Sequence, residues 1–547
     1  MLSIRNFYDV IIVGGGINGC GIARDLALRG VSCLLVEKND FAAGTSGASS
    51  GMIHGGVRYL LSDARVTRLS CLDSGIIQKM APHLLFRIPF LITVYDQPKR
   101  SGLSARLYLE AAEAYFRAYD TFASHKNAQK HTRLSPSEVL ALEPRMAPDR
   151  LIGGVTFDEW GIDVPRLCVA NVLDAIENGA HACNHTTVTG VGCTQGRVTS
   201  VVLKDDLSRS VRRVSCKMLV NATGPWSPQF AKLFGVAIPM RPTKGIHVVF
   251  DRKLSQVAIV AQAIDGREVF LLPYENTSIL GTTDDDFFGD LDDQRSTHDE
   301  VQYLLDAIDP VFPDIRKARV INTFSGVRPT LYERNAYEDD LSREHEVIDH
   351  AKRDQLEGVV SLIGGKLASY RIMAKETADL VAKKLGVRVK STTHERCLPG
   401  GDELPNAKSL ARDYHVSPQI VSRLIYRHGS RAIRILELIR KDASLGALVC
   451  SCEPVTVAEV QYVVTHELAR TLSDVRRRTR LTMGPCQGTN CLTAASAVLA
   501  GLQHKGPQEH EDMMRDFVKE WWWNRACVLD GDGLKQEELF QALHHWA

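Results

Sequence analysis

The stretch that decides the fold is Tyr8–Gly30, YDVIIVGGGINGCGIARDLALRG. It reads as a short apolar strand, a glycine turn with Gly14, Gly16 and Gly19 in GxGxxG register, and an amphipathic helix. Each glycine answers a physical need. The first permits the tight turn, the second lets a pyrophosphate approach the backbone, and the third lets helix and strand pack closely, with the helix N-terminus facing the phosphates. A second strand, VSCLLVE, ends on Glu37, about 20 residues on, where a carboxylate accepts hydrogen bonds from a ribose. Strand, glycines, helix and acidic residue in this order predict a dinucleotide-binding βαβ unit.

Outward from this unit, strand-like runs alternate with helical segments as far as about Leu385: KMLVNATG, IHVVFD, SILGTTD and VVSLIGGK are examples. The alternation predicts an α/β domain with a companion sheet. The Pro/Gly-rich CLPGGDELP, Cys397–Pro405, marks a boundary. Expected divisions are 1–395 for the oxidoreductase body, 396–445 for a linker and helical segment, 446–503 for a cysteine-bearing domain and 504–547 for a helical tail. A net charge of +1 with 24% charged residues excludes a global field for nucleic acid. The early strand leaves no room for a signal peptide, and the most apolar run, Leu84–Val94, is interrupted by Arg87 and too short to span a bilayer. A cytoplasmic protein is expected, peripheral on the inner face of the cell membrane. Thirteen cysteines, mostly isolated, argue against a disulfide framework.

After Glu37 the chain continues KNDFAAGTSGASSGMIHGGVRYL, a Gly/Ser/Thr loop long enough to run beneath an extended FAD. Together with NATGPW (Asn221–Trp226), LGTTD (Leu280–Asp284), FSGVRP (Phe324–Pro329), IGGKLASYR (Ile363–Arg371) and YRHGSRA (Tyr426–Ala432), it resembles the FAD-dependent glycerol-3-phosphate dehydrogenase family. The resemblance implies an FAD-binding Rossmann-like fold of the glutathione-reductase/D-amino-acid-oxidase type, a mixed-sheet substrate domain and small helical C-terminal domains. It implies a cofactor site from Gly14, Gly16, Gly19, Glu37, Lys38, Gly44, Thr45, Ser46, Ser49, Ser50, Ala222, Gly224, Gly364 and Gly365.

The implied substrate, glycerol 3-phosphate, carries a phosphate dianion and needs cations, preferably the bidentate fork of Arg. Arg58 in HGGVRYL, Arg328 in SGVRP, Arg343 in SREHE and Lys366 in GGK lie inside family motifs, and the resemblance adds Tyr59 and Thr283 as polar contacts. Oxidising a secondary alcohol also requires loss of its hydroxyl proton. His54 in MIHGGVRY is the candidate base, because imidazole titrates near neutrality; the alternative is a histidine that orients the loop or contacts FAD. His54, Arg58, Arg328 and Lys366 form the expected catalytic set.

Two cysteine pairs, Cys450-x-Cys452 and Cys486-x4-Cys491, supply four thiols to one centre. Four thiolates suit zinc as well as iron–sulfur. The spacing resembles a bacterioferritin-associated-ferredoxin-like [2Fe–2S] domain, and on this body it resembles the catalytic subunits of anaerobic glycerol-3-phosphate dehydrogenases. Such enzymes pair with a second, electron-accepting flavoprotein and an iron–sulfur membrane anchor feeding quinone. The loop at Gly44–Leu60 and MAPHLLFRIPF are closer to the aerobic dehydrogenases, which reduce quinone directly. A flavin dehydrogenase for another hydroxy acid or amine, or an FAD-binding electron-transfer protein without catalysis, are the competing readings; the intact HGGVRY, SGVRP and GGK motifs weigh against the second. The basic, aromatic Lys99–Tyr119 fits a domain-packing helix or a membrane-surface helix, and Trp521–Trp523 a core or subunit interface.

Overall fold

The computed structural model describes residues 4–57, 60–61, 64–97, 101–332 and 345–543. Strand β1 (Phe7–Val13), helix α1 (Ile17–Leu28) and strand β2 (Cys33–Val36) form where the glycine motif places them. Among the described residues they belong to an eight-stranded sheet whose central path runs His345–Asp349, Val359–Gly364, Val211–Asn221, β1, β2, His181–Cys183. From Val359–Gly364 to His181–Cys183 the neighbours are parallel. Parallel strands need crossover helices. α1, Val164–Glu177 and Tyr370–Leu385 cover one face and share one apolar core with Val10, Ile12, Leu35 and Val220. Because α1 lies among these helices, it is buried almost all round, and even its Arg24 is enclosed, bonded to Asp174 at 2.6 Å and to the carbonyls of Thr393 and Arg396.

A second, nine-stranded and mostly antiparallel sheet stands beside the first. Leu85–Tyr95 pairs along its whole length with Leu151–Ile162, and Thr243–Phe250 pairs with both Thr277–Gly281 and Val320–Arg328. The α/β architecture with a mixed companion sheet is therefore the one expected from the sequence.

Beyond Pro405 the chain is largely helical, and residues from Ala411 to Trp521 share one core. The helical segment, the cysteine segment and the first part of the tail thus pack as a single unit. Buried ion pairs join it to the body. Arg427 meets Asp163 and Glu275, Arg166 meets Glu467, and Arg478 meets Asp40. Breaking one partner of such a pair costs about 3–5 kcal/mol. Trp521 belongs to this core, 2% exposed, while Trp523 is 41% exposed. The described part of the basic stretch forms the helix Leu103–Ala123, which buries Leu109, Phe116 and Tyr119 and leaves Leu103, Leu107 and Tyr108 exposed. No helix of the described residues is long and apolar enough to cross a membrane.

Candidate active site

A cleft of about 1670 Å3 runs between the two sheets. One end lies at the carboxyl ends of the parallel strands, where Gly14–Gly16, Glu37–Asp40, Ala222–Trp226 and Gly364–Lys366 meet. Ligands of doubly wound sheets bind at such ends. Gly14 has φ +108°, and a Cβ there would lie 2.4 Å from the Ala222 carbonyl oxygen; one on Gly19 would lie 1.9 Å from the Gly14 carbonyl oxygen. The first glycine is fixed by the turn and the third by helix–strand contact, so Gly19 shapes the cleft without lining it.

Of the other expected cofactor residues, Gly16, Lys38, Gly44, Gly224, Gly364 and Gly365 line the cleft. Glu37 also lines it, and its carboxylate accepts from Gly15 N at 2.6 Å and Asn39 N at 2.8 Å. It therefore braces two loops, with lone pairs left for a further donor. Burial raises its pKa, against the pull of those two amides. The hydroxyls of the 44–50 loop are engaged within the protein: Thr45 Oγ1 donates to Val327 O, Ser46 Oγ accepts from Ile17 N at 2.9 Å, Ser49 Oγ donates to Ser46 O, and Ser50 Oγ meets His247 Nε2 at 2.9 Å. Asn18 Oδ1, on the wall of the same cleft, is buried without a hydrogen-bond partner. A glycine cradle, a helix N-terminus, a carboxylate just past the end of β2 and an orphaned acceptor fit the pyrophosphate and ribose of a dinucleotide such as FAD.

The other end is built by the second sheet. Arg328, at the close of Val320–Arg328, donates to Asp284 Oδ1 at 2.8 Å, to Thr283 O at 3.1 Å and to Thr282 Oγ1 at 3.2 Å. Arg328, Lys366 and His54 all line the cleft. His54 Nδ1 accepts from Gly56 N at 3.1 Å; a neutral ring so bonded carries its proton on Nε2, making that atom a donor. Beneath this loop Glu159 accepts from Gly55 N at 3.1 Å and from Tyr119 OH at 2.7 Å, and it pairs with the fully buried Lys126. Through Glu159 the loop at Gly55 is tied to the strand Leu151–Ile162.

The structure corrects one expected contact. Thr283 is 1% exposed, its Oγ1 accepts from Ile246 N, and it does not reach the cleft; its neighbour Thr282 does. Arg58, Tyr59 and Arg343 lie outside the described residues. His247, absent from the expected set, lines the cleft, stacks on Phe324 at 4.6 Å and has its Nδ1 buried without a partner. Burial, and then the charge of Arg328, push its pKa down to about 3, so it stays neutral. The available signal was a histidine inside the apolar run IHVVFD.

Away from the cleft, the four cysteines of the C-terminal unit come together. Cys452 and Cys486 sulfurs stand 3.7 Å apart, and Cys491 is electrostatically coupled to both Cys486 and Cys450. Those two thiols are drawn down, Cys486 to about 4 and Cys450 to about 6, first by the Cys491 thiol and further by the amides of Asn490 and Gly488 or of Glu453 and Thr482, against burial. Cys491 is correspondingly raised. Among the described residues no three His, Cys, Asp or Glu side chains are placed to hold one metal ion. Gln487, next to Cys486, accepts from Asn322 at 2.9 Å, on the strand that ends in Arg328.

The parallel-sheet cleft and its glycine cradle define a flavin-dependent oxidoreductase. Residues 9–380 match the family model described as FAD dependent oxidoreductase, and 391–507 match the C-terminal domain of alpha-glycerophosphate oxidase. Over 537 residues the chain is 33% identical to one chain of the anaerobic glycerol-3-phosphate dehydrogenase of Escherichia coli K12, its first-lettered subunit, covering 97% of this chain and 95% of that one. It is also 33% identical to the aerobic glycerol-3-phosphate dehydrogenase of Staphylococcus haemolyticus, over 72% of this chain and 71% of that one. The crystal structure of glycerol-3-phosphate dehydrogenase from Bacillus halodurans, complexed with FAD, superposes with a TM-score of 0.75 at 25% identity, covering 96% and 97% of the two chains. The chain belongs to the FAD-dependent glycerol-3-phosphate dehydrogenase family.

Proposed function

We propose that this protein oxidises sn-glycerol 3-phosphate to dihydroxyacetone phosphate and passes the electrons, through a [2Fe–2S] centre on Cys450, Cys452, Cys486 and Cys491, to the quinone pool by way of a partner protein. The observation that carries the reading is the placement of Arg328, Lys366 and His54 on one glycine-lined cleft, with Arg328 held by Asp284 at a strand end. Arg328 is oriented by three acceptors, and its planar fork lies on the cleft wall, as recognition of a phosphate requires. Lys366, leaving the strand Val359–Gly364, adds a second cation. With Nδ1 accepting from Gly56 N, the neutral His54 donates Nε2–H to a carbonyl oxygen; to act as base it takes the hydroxyl proton at Nε2 in the other tautomer, which carries its own proton on Nδ1 and has released Gly56 N. The neutral His247 lines the wall, backed by the ring of Phe324. Bound FAD supplies the hydride acceptor.

A set of four thiols, two of them held as acceptors by backbone amides, suits a binuclear cluster better than one tetrahedral ion, because a [2Fe–2S] centre takes two thiolates at each iron. The Gln487–Asn322 contact brings this unit against the substrate strand. An electron-accepting flavoprotein and an iron–sulfur membrane anchor, or quinone directly, are the partners that follow, with the chain peripheral on the inner face of the cell membrane and the apolar Leu103, Leu107 and Tyr108 available to a surface. Anaerobic turnover with a one-electron dye tests the reading: activity on glycerol 3-phosphate and none on glycerol, lactate or sarcosine is expected, whereas preference for an amine or a carboxylate overturns it.

A further inference from the structure

We propose that Arg477, in the C-terminal helical unit, binds the ADP half of FAD, so that the cofactor site is completed by the part of the chain that carries the cysteines. The inference rests on FAD lying in the cleft described above. It comes from a difference between two adjacent arginines on the helix Leu472–Thr479.

Arg478 is fully buried and closely bonded. It holds Asp40 with two bonds of 2.7 and 2.9 Å and donates further to the carbonyls of Glu467 and Asp474. Arg477 instead lines the cleft. Its nearest carboxylate oxygens lie at 3.5 Å on Asp40, 3.7 Å on Asp474 and 3.5 Å on Glu520, well beyond the usual 2.7–2.9 Å of a charge-assisted hydrogen bond. Those carboxylates have closer partners: Asp40 takes Arg478 and Asn184, Asp474 takes His185 and the amides of Arg470 and Thr471, and Glu520 takes the Ser473 hydroxyl. Arg477 is thus a cation on a cavity wall whose donors are shared among distant acceptors.

Its position says what it would meet. Asp40 follows the end of β2 by four residues, on the Glu37 side of the cleft, which is the adenosine side in a doubly wound sheet. FAD brings there two phosphate charges and an adenine ring. A guanidinium answers either, bidentate to phosphate or flat on the ring. The arginine is also held in place before any ligand arrives. Thr471 and Asp474 form a capping box on its helix, and His185–Asp474 at 2.9 Å and Arg470–Asp205 at 2.9 Å pin that helix to the body.

The test compares full-length wild type, Arg477→Ala and Arg477→Lys after removal of FAD, measuring the Kd for FAD by flavin fluorescence and for ADP by competition, with the apoprotein melting temperature alongside. Arg477→Ala is expected to raise both Kd values about ten-fold or more, Arg477→Lys to restore part of the loss, and the apoprotein melting temperature to hold. An unchanged FAD Kd in Arg477→Ala, or weakened FAD with unchanged ADP, overturns the proposal. So does a fall in apoprotein melting temperature matching the loss of affinity with no recovery in Arg477→Lys, which makes the residue a folding element. If wild-type apoprotein binds neither FAD nor ADP, the cleft itself is misassigned, a failure distinct from that of Arg477.

Discussion

The cleft and the cysteine unit bring chemistry together in opposite ways. The cleft is assembled largely from backbone: glycines clear space, a helix N-terminus and turn amides face inward, and the hydroxyls of the 44–50 loop are spent holding it in shape. The cysteine unit relies on side chains, four thiols from two distant pairs brought together by the helices Val457–His466 and Leu472–Thr479 that separate them. A backbone cradle tolerates side-chain change and is sensitive to Cβ atoms. A thiol set is sensitive to every one of its side chains.

Cys486→Ser should produce the largest effect. It removes the thiol that lies 3.7 Å from Cys452, and iron retention should fall by more than the roughly 10–100-fold that outer-sphere changes cost. Iron analysis checks this, and reduction of the flavin by substrate should survive. Loss of flavin reduction together with iron would erase the contrast between the two regions.

Arg328→Ala comes next. Removing a half-buried cation from its Asp284 pairing should cost about 2–5 kcal/mol of transition-state binding, or roughly 30- to several thousand-fold in kcat/KM. FAD content should be unchanged, as read by the flavin absorbance of purified protein.

Asp40→Asn attacks the seam between the regions. It leaves Arg478 buried without its charge partner and should lower stability by about 3–5 kcal/mol in denaturant unfolding. Burial alone would raise the Asp40 pKa, but the charge and hydrogen bonds of Arg478 outweigh it and hold the group at about 2. The folded value lies below the ordinary one, so this stabilisation is complete above about pH 4 and is lost as pH falls toward 2. Wild type should therefore lose stability over that window more steeply than Asp40→Asn. Parallel curves would remove Asp40 from the seam.

The smallest effect separates two neighbouring threonines. Thr283→Val should cost about 1 kcal/mol of stability, through the Ile246 amide, and leave KM unchanged. Thr282→Val should leave stability nearly unchanged and lower kcat/KM a few-fold by loosening Arg328; steady-state kinetics beside melting curves distinguish the two.

That pair also marks how far the sequence could be read. Gly14, Gly19 and Glu37 were legible because each answers a requirement set within a few residues of itself. The LGTTD motif led to Thr283, but neighbouring residues at a strand end present opposite faces, and a one-residue step exchanges cleft for core. His247 was hidden by its apolar strand, whose pattern speaks of burial and not of the Ser50 hydroxyl or Arg328 beside it. Arg477 and Trp523 reach the cleft from more than 400 residues beyond the glycine turn. Contacts of that range follow from packing of the helical unit on the body, and no local periodicity records them. The four cysteines were legible as two close pairs; the approach of Cys452 to Cys486 across the fold was not.

Under the proposed function, electrons entering at the cleft leave through the cysteine unit. Anaerobic titration of the iron-loaded protein with glycerol 3-phosphate, followed by visible absorbance and electron paramagnetic resonance, tests it most directly. Bleaching of the flavin accompanied by the signal of a reduced [2Fe–2S] centre is the predicted result. Complete flavin bleaching with stoichiometric iron and no reduced-cluster signal would contradict it.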